Sequence, residues 1–385
     1  MKKTIAMLLA AVMLCGCLAG CGGTKDDTVM TVNGTEISYD EYMTWLGSAV
    51  SDIKSIYSTY SGTDVDWDGN FLFDESITNA EWCIKHANEN LTKLHSVESK
   101  AKELGVTVTD EQKEDLEDEI EELRSTYATG DDTEASFKDF LAGYNYTQDS
   151  YRTQRNLNYL YYNVFAELYG EQGEKLDEAK VLDYAEKNDY VTSAHILIKT
   201  TRDVTDEDGK TTTEELSEAE KAEKLAQAQE LADELKAIDD NEKRWERFKE
   251  LMDEYSEDPG KESFPNGYCF TTNTMVEIYD TTSRSLAEYE VSDPVESTHG
   301  YHVIMRLPMT SSDLVSYTNG YQQSIVPLSY VAAPSYYDTD VSGWAKEATV
   351  KYTSLYEKVD FSQYITDDGF NFVSYADYCH RDNSD

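Results

Sequence analysis

Proline and glycine are scarce in this chain of 385 residues, at 6 and 20 respectively. That excludes a collagen-like repeat and a linker-rich, unstructured polypeptide. Positive charge is scarce too: 33 Lys+Arg stand against 76 Asp+Glu, a formal net charge of −43. Nucleic acid is excluded as a bulk partner, because a polyanion is repelled by phosphates instead of displacing their counterions. The 6 cysteines form no CxxC pair and no Cys/His metal spacing, so no zinc or other metal and no cofactor are expected. Cys83, Cys269 and Cys379 are too widely spaced, and too odd in number, to make a disulfide framework. Tyrosine is plentiful: 29 residues, against 11 Phe and 5 Trp, in a chain that is 39% hydrophobic. Such a chain can bury a core, and its length suits two or three domains.

The one long uncharged apolar stretch lies at the start. Met1 to Gly23 reads MKKTIAMLLAAVMLCGCLAGCGG, with two lysines, an apolar segment from Ile5 to Ala19 and small residues around a cysteine. It is short for a membrane span and has the order of a secretory signal. Leu18-Ala19-Gly20-Cys21 resembles the bacterial lipobox, which implies cleavage before Cys21 and lipidation of its thiol. Cys17, which also has a Leu three residues before it at Leu14, is the rival cysteine. Loss of residues 1–20 leaves 365 residues and removes Lys2 and Lys3, taking the charge to −45. An acidic body on a lipid tether should stand off an anionic membrane.

Beyond a polar spacer, Val29–Ile37 reads as two β-forming runs around an Asn33-Gly34 turn. Ser38 and Glu41 form a capping box that opens a helix, and Thr109 with Gln112 forms another. Apolar residues at helical spacing follow: Cys83, Ala87, Leu91 and Leu94; Leu116, Ile120, Leu123 and Tyr127; Leu157, Leu160, Tyr161, Val164 and Leu168. Residues 39–187 are therefore expected to be mainly helical. Asp64, Asp66, Asp68, Gly69 and Glu75 fit a calcium-loop spacing; in so acidic a chain an ordinary loop accounts for them. From residue 190 the pattern changes. Val191–Lys199 reads as a buried strand, residues 200–217 as an acidic loop, and Leu225 to Ile238 as a helix. Trp245, Phe248 and Met252 mark another helix, and Tyr301–Leu307 a closing strand. The expected fold class is α+β, and the expected domains are a leader (1–20), a helical domain (21–188), a small mostly antiparallel sheet flanked by helices (189–308) and a tail (309–385). The tail holds ten tyrosines and one clear helix candidate, Trp344 to Lys358, and is expected to pack back on the helical domain.

The residues that carry chemistry lie in the third segment. His195-Ile196-Leu197 begins it; Tyr255-Ser256-Glu257-Asp258 and Gly267-Tyr268-Cys269-Phe270 follow, then Met275 to Tyr279, Val291-Ser292-Asp293-Pro294-Val295 and Gly300-Tyr301-His302-Val303-Ile304. In order and spacing, residues 190–308 resemble the parvulin family of peptidyl-prolyl cis/trans isomerases. The lipobox, the helical block and Val32–Ile37 resemble the PrsA/SurA group of extracytoplasmic foldases. The resemblance implies that His195, Asp258 and His302 are catalytic and that Met275, Tyr279, Phe270 and His299 bind substrate. It also implies a membrane-anchored foldase outside the cytoplasm, acting on newly secreted, unfolded polypeptides with Xaa-Pro bonds. Tyr279 stands where relatives have Phe, Asn273-Thr274 replaces Gly-Gln, and Arg284 replaces an apolar residue. These departures leave open a second reading, a non-catalytic holding chaperone with a degenerate parvulin domain. Asp203, Asp206, Glu207 and Asp208 occupy the loop where phosphate-reading relatives carry basic residues. Oligomeric state is not legible in the sequence.

Overall fold

A computed structural model describes residues 25–205, 209–320, 322–366 and 369–382. The leader, Cys21 and residues 206–208 lie outside the described residues. In chain order the elements are β1 (Thr28–Val32), β2 (Thr35–Ser38), α1 (Tyr39–Tyr60), β3 (Asn70–Phe71), β4 (Asp74–Thr78), α2 (Asn79–Leu104), α3 (Asp110–Tyr127), α4 (Thr133–Gly143), α5 (Gln148–Tyr169) and α6 (Glu178–Lys187). Then come β5 (Val191–Lys199), β6 (Thr201–Thr205), β7 (Thr211–Glu215), α7 (Glu218–Lys236), α8 (Asn241–Tyr255), β8 (Tyr268–Phe270), α9 (Glu277–Ser285), β9 (Val295–Ser297) and β10 (Gly300–Leu307). The chain ends with β11 (Leu314–Asn319), β12 (Gln322–Pro327), α10 (Leu328–Glu347), β13 (Val350–Tyr352), α11 (Ser354–Lys358), β14 (Ile365–Thr366), β15 (Gly369–Phe370) and α12 (Tyr375–Asp382). The fold is α+β.

Two compact units divide the chain. One runs to Val164 and resumes at Val341; the other is Phe165–Asp340. In the first, β1 pairs with β2 across the Asn33-Gly34 turn and on its other side with β13, Val32 facing Val350. Both turn residues have positive φ, 50° and 87°, as a tight hairpin requires. Ser38 Oγ accepts from the Glu41 N–H and starts α1; the complete capping boxes Thr78/Glu81 and Thr109/Gln112 start α2 and α3. The core of this unit joins Val29, Ile37, Tyr42, Leu46 and Ile53 to Cys83, Ala87 and Leu91, and the final segment adds Val359, Phe361 and Ile365.

The second unit is built on a six-stranded sheet ordered β12-β11-β8-β5-β10-β9. All its pairings are antiparallel except β8 with β11. Successive side chains of a strand face opposite sides. Ala194, Ile196 and Ile198 of β5, with Val303 and Met305 of β10, meet Leu231, Leu235, Phe248 and Met252 from α7 and α8. The alternate residues face α9: Val191 and Ile304 pack with Phe270 and Tyr279. Coverage on both faces explains why β5 is buried from Val191 to Ile198, its polar Thr192, Ser193 and His195 included.

Two expectations are corrected. Residues 200–217 hold a hairpin, β6 paired with β7, instead of a plain loop; Thr201, Thr205, Thr211 and Thr213 supply β-branched residues at ladder positions. Trp344–Lys358 is not one helix. A helix hidden by Pro334, α10, takes in Trp344–Glu347, and the β-branched Thr349 and Val350 then take the chain into β13 beside β1. Met275 lies in the turn before α9. The calcium-like spacing falls on a loop and the β3–β4 hairpin, with Glu75 inside β4.

Candidate active site

His195 and His302 come together through strand register. On the antiparallel β5–β10 pair His195 faces Ile304, and Leu197 faces His302. The two histidines therefore sit diagonally on one face, where long side chains meet. Their Nδ1 atoms are 2.8 Å apart and their rings are nearly parallel, at 22°. Both are buried, His195 9% and His302 3% exposed. One of the two Nδ1 atoms must donate and the other accept.

The chain of hydrogen bonds continues at both ends. His195 Nε2 lies 2.9 Å from Asp258 Oδ2, and the Tyr268 hydroxyl donates to the same oxygen at 2.6 Å. Asp258 Oδ1 accepts from the Gly260 N–H at 3.1 Å, because Asp258 caps the short turn Pro259–Glu262. At the far end His302 Nε2 lies 2.7 Å from Ser297 Oγ, which also accepts from the His299 N–H. Five side chains, Tyr268, Asp258, His195, His302 and Ser297, thus form one line across β8, β5, β10 and β9.

Electrostatics follow from burial and neighbours. Burial alone would raise the Asp258 carboxyl, but hydrogen bonds from His195 and Tyr268 outweigh it and hold the group well below the usual carboxylate range. Burial, then repulsion from His195 and His299, push His302 down to about 3, so its imidazole is neutral at pH 7. Burial and the Asp258 anion push the Tyr268 hydroxyl up, which keeps it a donor. Cys269 is buried and its thiol is pushed up to about 12, so it is no thiolate nucleophile near neutral pH.

The expected substrate-binding residues separate into two groups. Met275 is half-buried and His299 is exposed in the β9–β10 turn. Tyr279 and Phe270, expected as surface for substrate, are buried at 2% and 4% exposure. The Tyr279 hydroxyl explains part of this: Ser193 Oγ lies 2.9 Å from it and bonds Ser283 Oγ as well, so the added oxygen is satisfied beneath the histidines. Accessible apolar surface near the line is instead supplied by Met275, by Tyr268 and by Phe264, whose ring is 4.6 Å from that of Tyr268. Arg284 bonds Asp280 and the Asp189 carbonyl and lies over the Phe270 ring, a polar route to filling an apolar position. Sequence reasoning missed Tyr268, Ser297 and Gly260. Tyr268 sat inside a quoted motif; Ser297 becomes a partner only through the β9–β10 register, which no local pattern encodes. A cleft of about 440 Å³ lined by Lys236, Arg244, Leu286 and Asp293 contains none of the histidines.

Residues 195–307 match the family described as Rotamase: PPIC-type PPIase domain. The foldase protein PrsA of Oceanobacillus iheyensis is 27% identical over 223 residues, 57% of this chain and 60% of that protein. The foldase protein PrsA of Halalkalibacterium halodurans is 41% identical over 80 residues, 20% of this chain and 22% of that protein. The chain thus spans less than two thirds of the length of either. The crystal structure of PrsA from Bacillus subtilis aligns with 73% of this chain and 92% of its own at 18% identity, with a TM-score of 0.24.

Proposed function

With residues 195–307 a PPIC-type PPIase domain, we propose that the chain is an extracytoplasmic foldase that isomerises Xaa-Pro bonds of unfolded secreted polypeptides. The observation that carries the proposal is the buried His195–His302 pair anchored on Asp258. Rotation about the peptide bond must cross a barrier of about 18–20 kcal/mol that arises from amide resonance. No covalent step is needed; the catalyst must favour the twisted amide over the planar one. Fixed dipoles in a dry setting do this without reorganising during the reaction. His195, His302 and Asp258 act as that polar floor, and Met275 with Tyr268 and Phe264 as the apolar edge for the proline ring. Each 1.36 kcal/mol of preference for the twisted form gives about a tenfold rate gain, so modest differential contacts suffice.

Refolding of a protein limited by a prolyl bond tests the proposal against the holding-chaperone reading. The uncatalysed slow phase lasts tens to hundreds of seconds. An isomerase shortens it in proportion to its concentration. If the yield rises while the slow phase keeps its rate, the holding reading stands instead.

The anchor belongs to the same proposal: Cys21 carries lipid and tethers the acidic body to the outer side of the cell membrane. Among the described residues no helix is long and apolar enough to cross a membrane. Mass spectrometry of membrane-extracted protein checks this; a mature N-terminus beyond residue 21, without lipid, contradicts it.

A further inference from the structure

Two-residue hairpin turns are normally made of Gly, Asn or Asp, which tolerate the backbone and welcome water. The β3–β4 turn is Leu72-Phe73, flanked by the paired Phe71 and Asp74. Leu72 is 40% and Phe73 62% exposed, and Tyr60 at the end of α1 is 70% exposed. Phe73 packs edge-on against Tyr60 at 5.3 Å and against Phe71 at 5.8 Å. Phe71 is buried and stacks on Trp82, which stacks on His86. The exposed rings are thus held by a partly buried aromatic stack, and contact with a partner orders few new rotors.

Exposed carboxylates flank this knob along the chain: Asp64, Asp66, Asp68, Asp74 and Glu75. Residues 61–80 contain no Lys or Arg. Asp74 is fixed by bonds from the Ser76 N–H and hydroxyl, which hold its carboxyl below the usual range. Among the described residues of the first unit, no contact explains so much exposed aromatic surface in so anionic a segment.

We propose that this knob is a docking surface for unfolded polypeptide segments in which aromatic or aliphatic residues alternate with Lys or Arg. The apolar residues pack on Phe73, Leu72 and Tyr60, and the cations meet the carboxylates and the ring faces. An anionic membrane is repelled by the same carboxylates. The surface gives the foldase reading a place where clients are held, but it lies in the first unit, and its test does not pass through the histidine pair.

The test uses the chain from residue 22 onward and a fluorescein-labelled, proline-free peptide alternating Leu or Phe with Lys. Controls are the same peptide with Glu for Lys, and phosphatidylcholine vesicles. The wild type should bind the basic peptide, and Tyr60→Ser/Phe73→Ser should weaken binding by about tenfold or more, as expected for removal of aromatic anchors. Asp64→Asn/Asp68→Asn/Glu75→Gln should abolish the preference for the basic over the acidic peptide. All variants should keep the circular dichroism of the wild type and its rate on a short prolyl peptide. Equal binding by Tyr60→Ser/Phe73→Ser, equal binding of the acidic peptide, or Phe73-dependent binding to vesicles alone overturns the proposal. Absence of prolyl-peptide turnover with intact docking refutes the isomerase reading and leaves the docking surface standing.

Discussion

At the scale of single residues, two buried histidines have opposite fates because their neighbours differ. His302 faces another imidazole and a serine; His95, 2% exposed, faces two carboxylates, Glu41 on α1 and Glu98 on α2, each at 2.8 Å. Burial lowers the affinity of His95 for a proton, but the charge of Glu41 and the bonds the imidazole donates to both carboxylates raise its pKa to about 9. A histidine whose folded pKa exceeds its unfolded value of about 6.5 contributes stability below that value and loses it as pH rises through the folded pKa. Glu98, held low by His95 and Lys102 against the cost of burial, contributes in the opposite sense, losing its share as pH falls. Raising pH from about 7 to 10 should therefore lower the protection factors of amides in α1 and α2, measured against the intrinsic base-catalysed exchange rate at each pH. His95→Gln should abolish that dependence; a flat profile in the wild type would contradict it.

For His302 the sign reverses. Its folded pKa of about 3 lies below the unfolded value, so protonation favours unfolding. Stability should be independent of this group above pH about 6.5 and decline from there toward 3, with Asp258 adding to the loss at the acid end. Nitrogen NMR of the imidazole should show His302 neutral at pH 5, where an exposed histidine is charged. A normal titration near 6.5 would refute the buried pairing. Both histidines of the pair were legible in the sequence from their place in bordering strands. The reversed behaviour of His95 was not, because Glu41 is 54 positions away and meets it only when α1 packs on α2.

At the scale of elements, capping boxes and alternation were legible where local chemistry decides structure. Thr109 with Gln112 opens α3, and β5 is a strand throughout. The local pattern failed where distant packing decides. Pro334 sits within α10, where buried Ala332, Ala333 and Tyr337 hold the helix despite the missing donor. The turn carrying Asp258 has a similar dependence on its neighbours: a Cβ on Gly260 would strike the Tyr268 hydroxyl. Gly260→Ala should swing Tyr268 away, raise the pKa of Asp258 and slow isomerisation several-fold with the fold intact. A carboxyl-carbon NMR titration beside the rate measurement checks this; an unchanged Asp258 titration would show that Tyr268 does not hold the carboxylate down.

At the scale of the whole molecule, the charge of −43 acts on everything at once. Ion pairs at the surface offset it little, since exposed pairs contribute about 0–1 kcal/mol each. Self-repulsion of such an anion is screened by salt. Raising sodium chloride from about 0.05 to 0.5 M should raise the melting temperature, the reverse of a fold held by surface ion pairs, and a fall would contradict this. The two-unit division was only partly visible in the sequence. Its limits at Val164 and Val341 fall inside α5 and α10, where apolar spacing runs on without a break.

The central claim is that the His195–His302–Asp258 line lowers the barrier to prolyl rotation. The most direct measurement is exchange NMR of the cis and trans forms of a short prolyl peptide, with the chain from residue 22 onward and with His302→Ala. The wild type should accelerate exchange in proportion to its concentration, and His302→Ala should retain about a tenth of that or less, the loss of roughly one hydrogen-bond-scale preference. No acceleration by folded wild-type protein, or equal acceleration by His302→Ala, would contradict the claim.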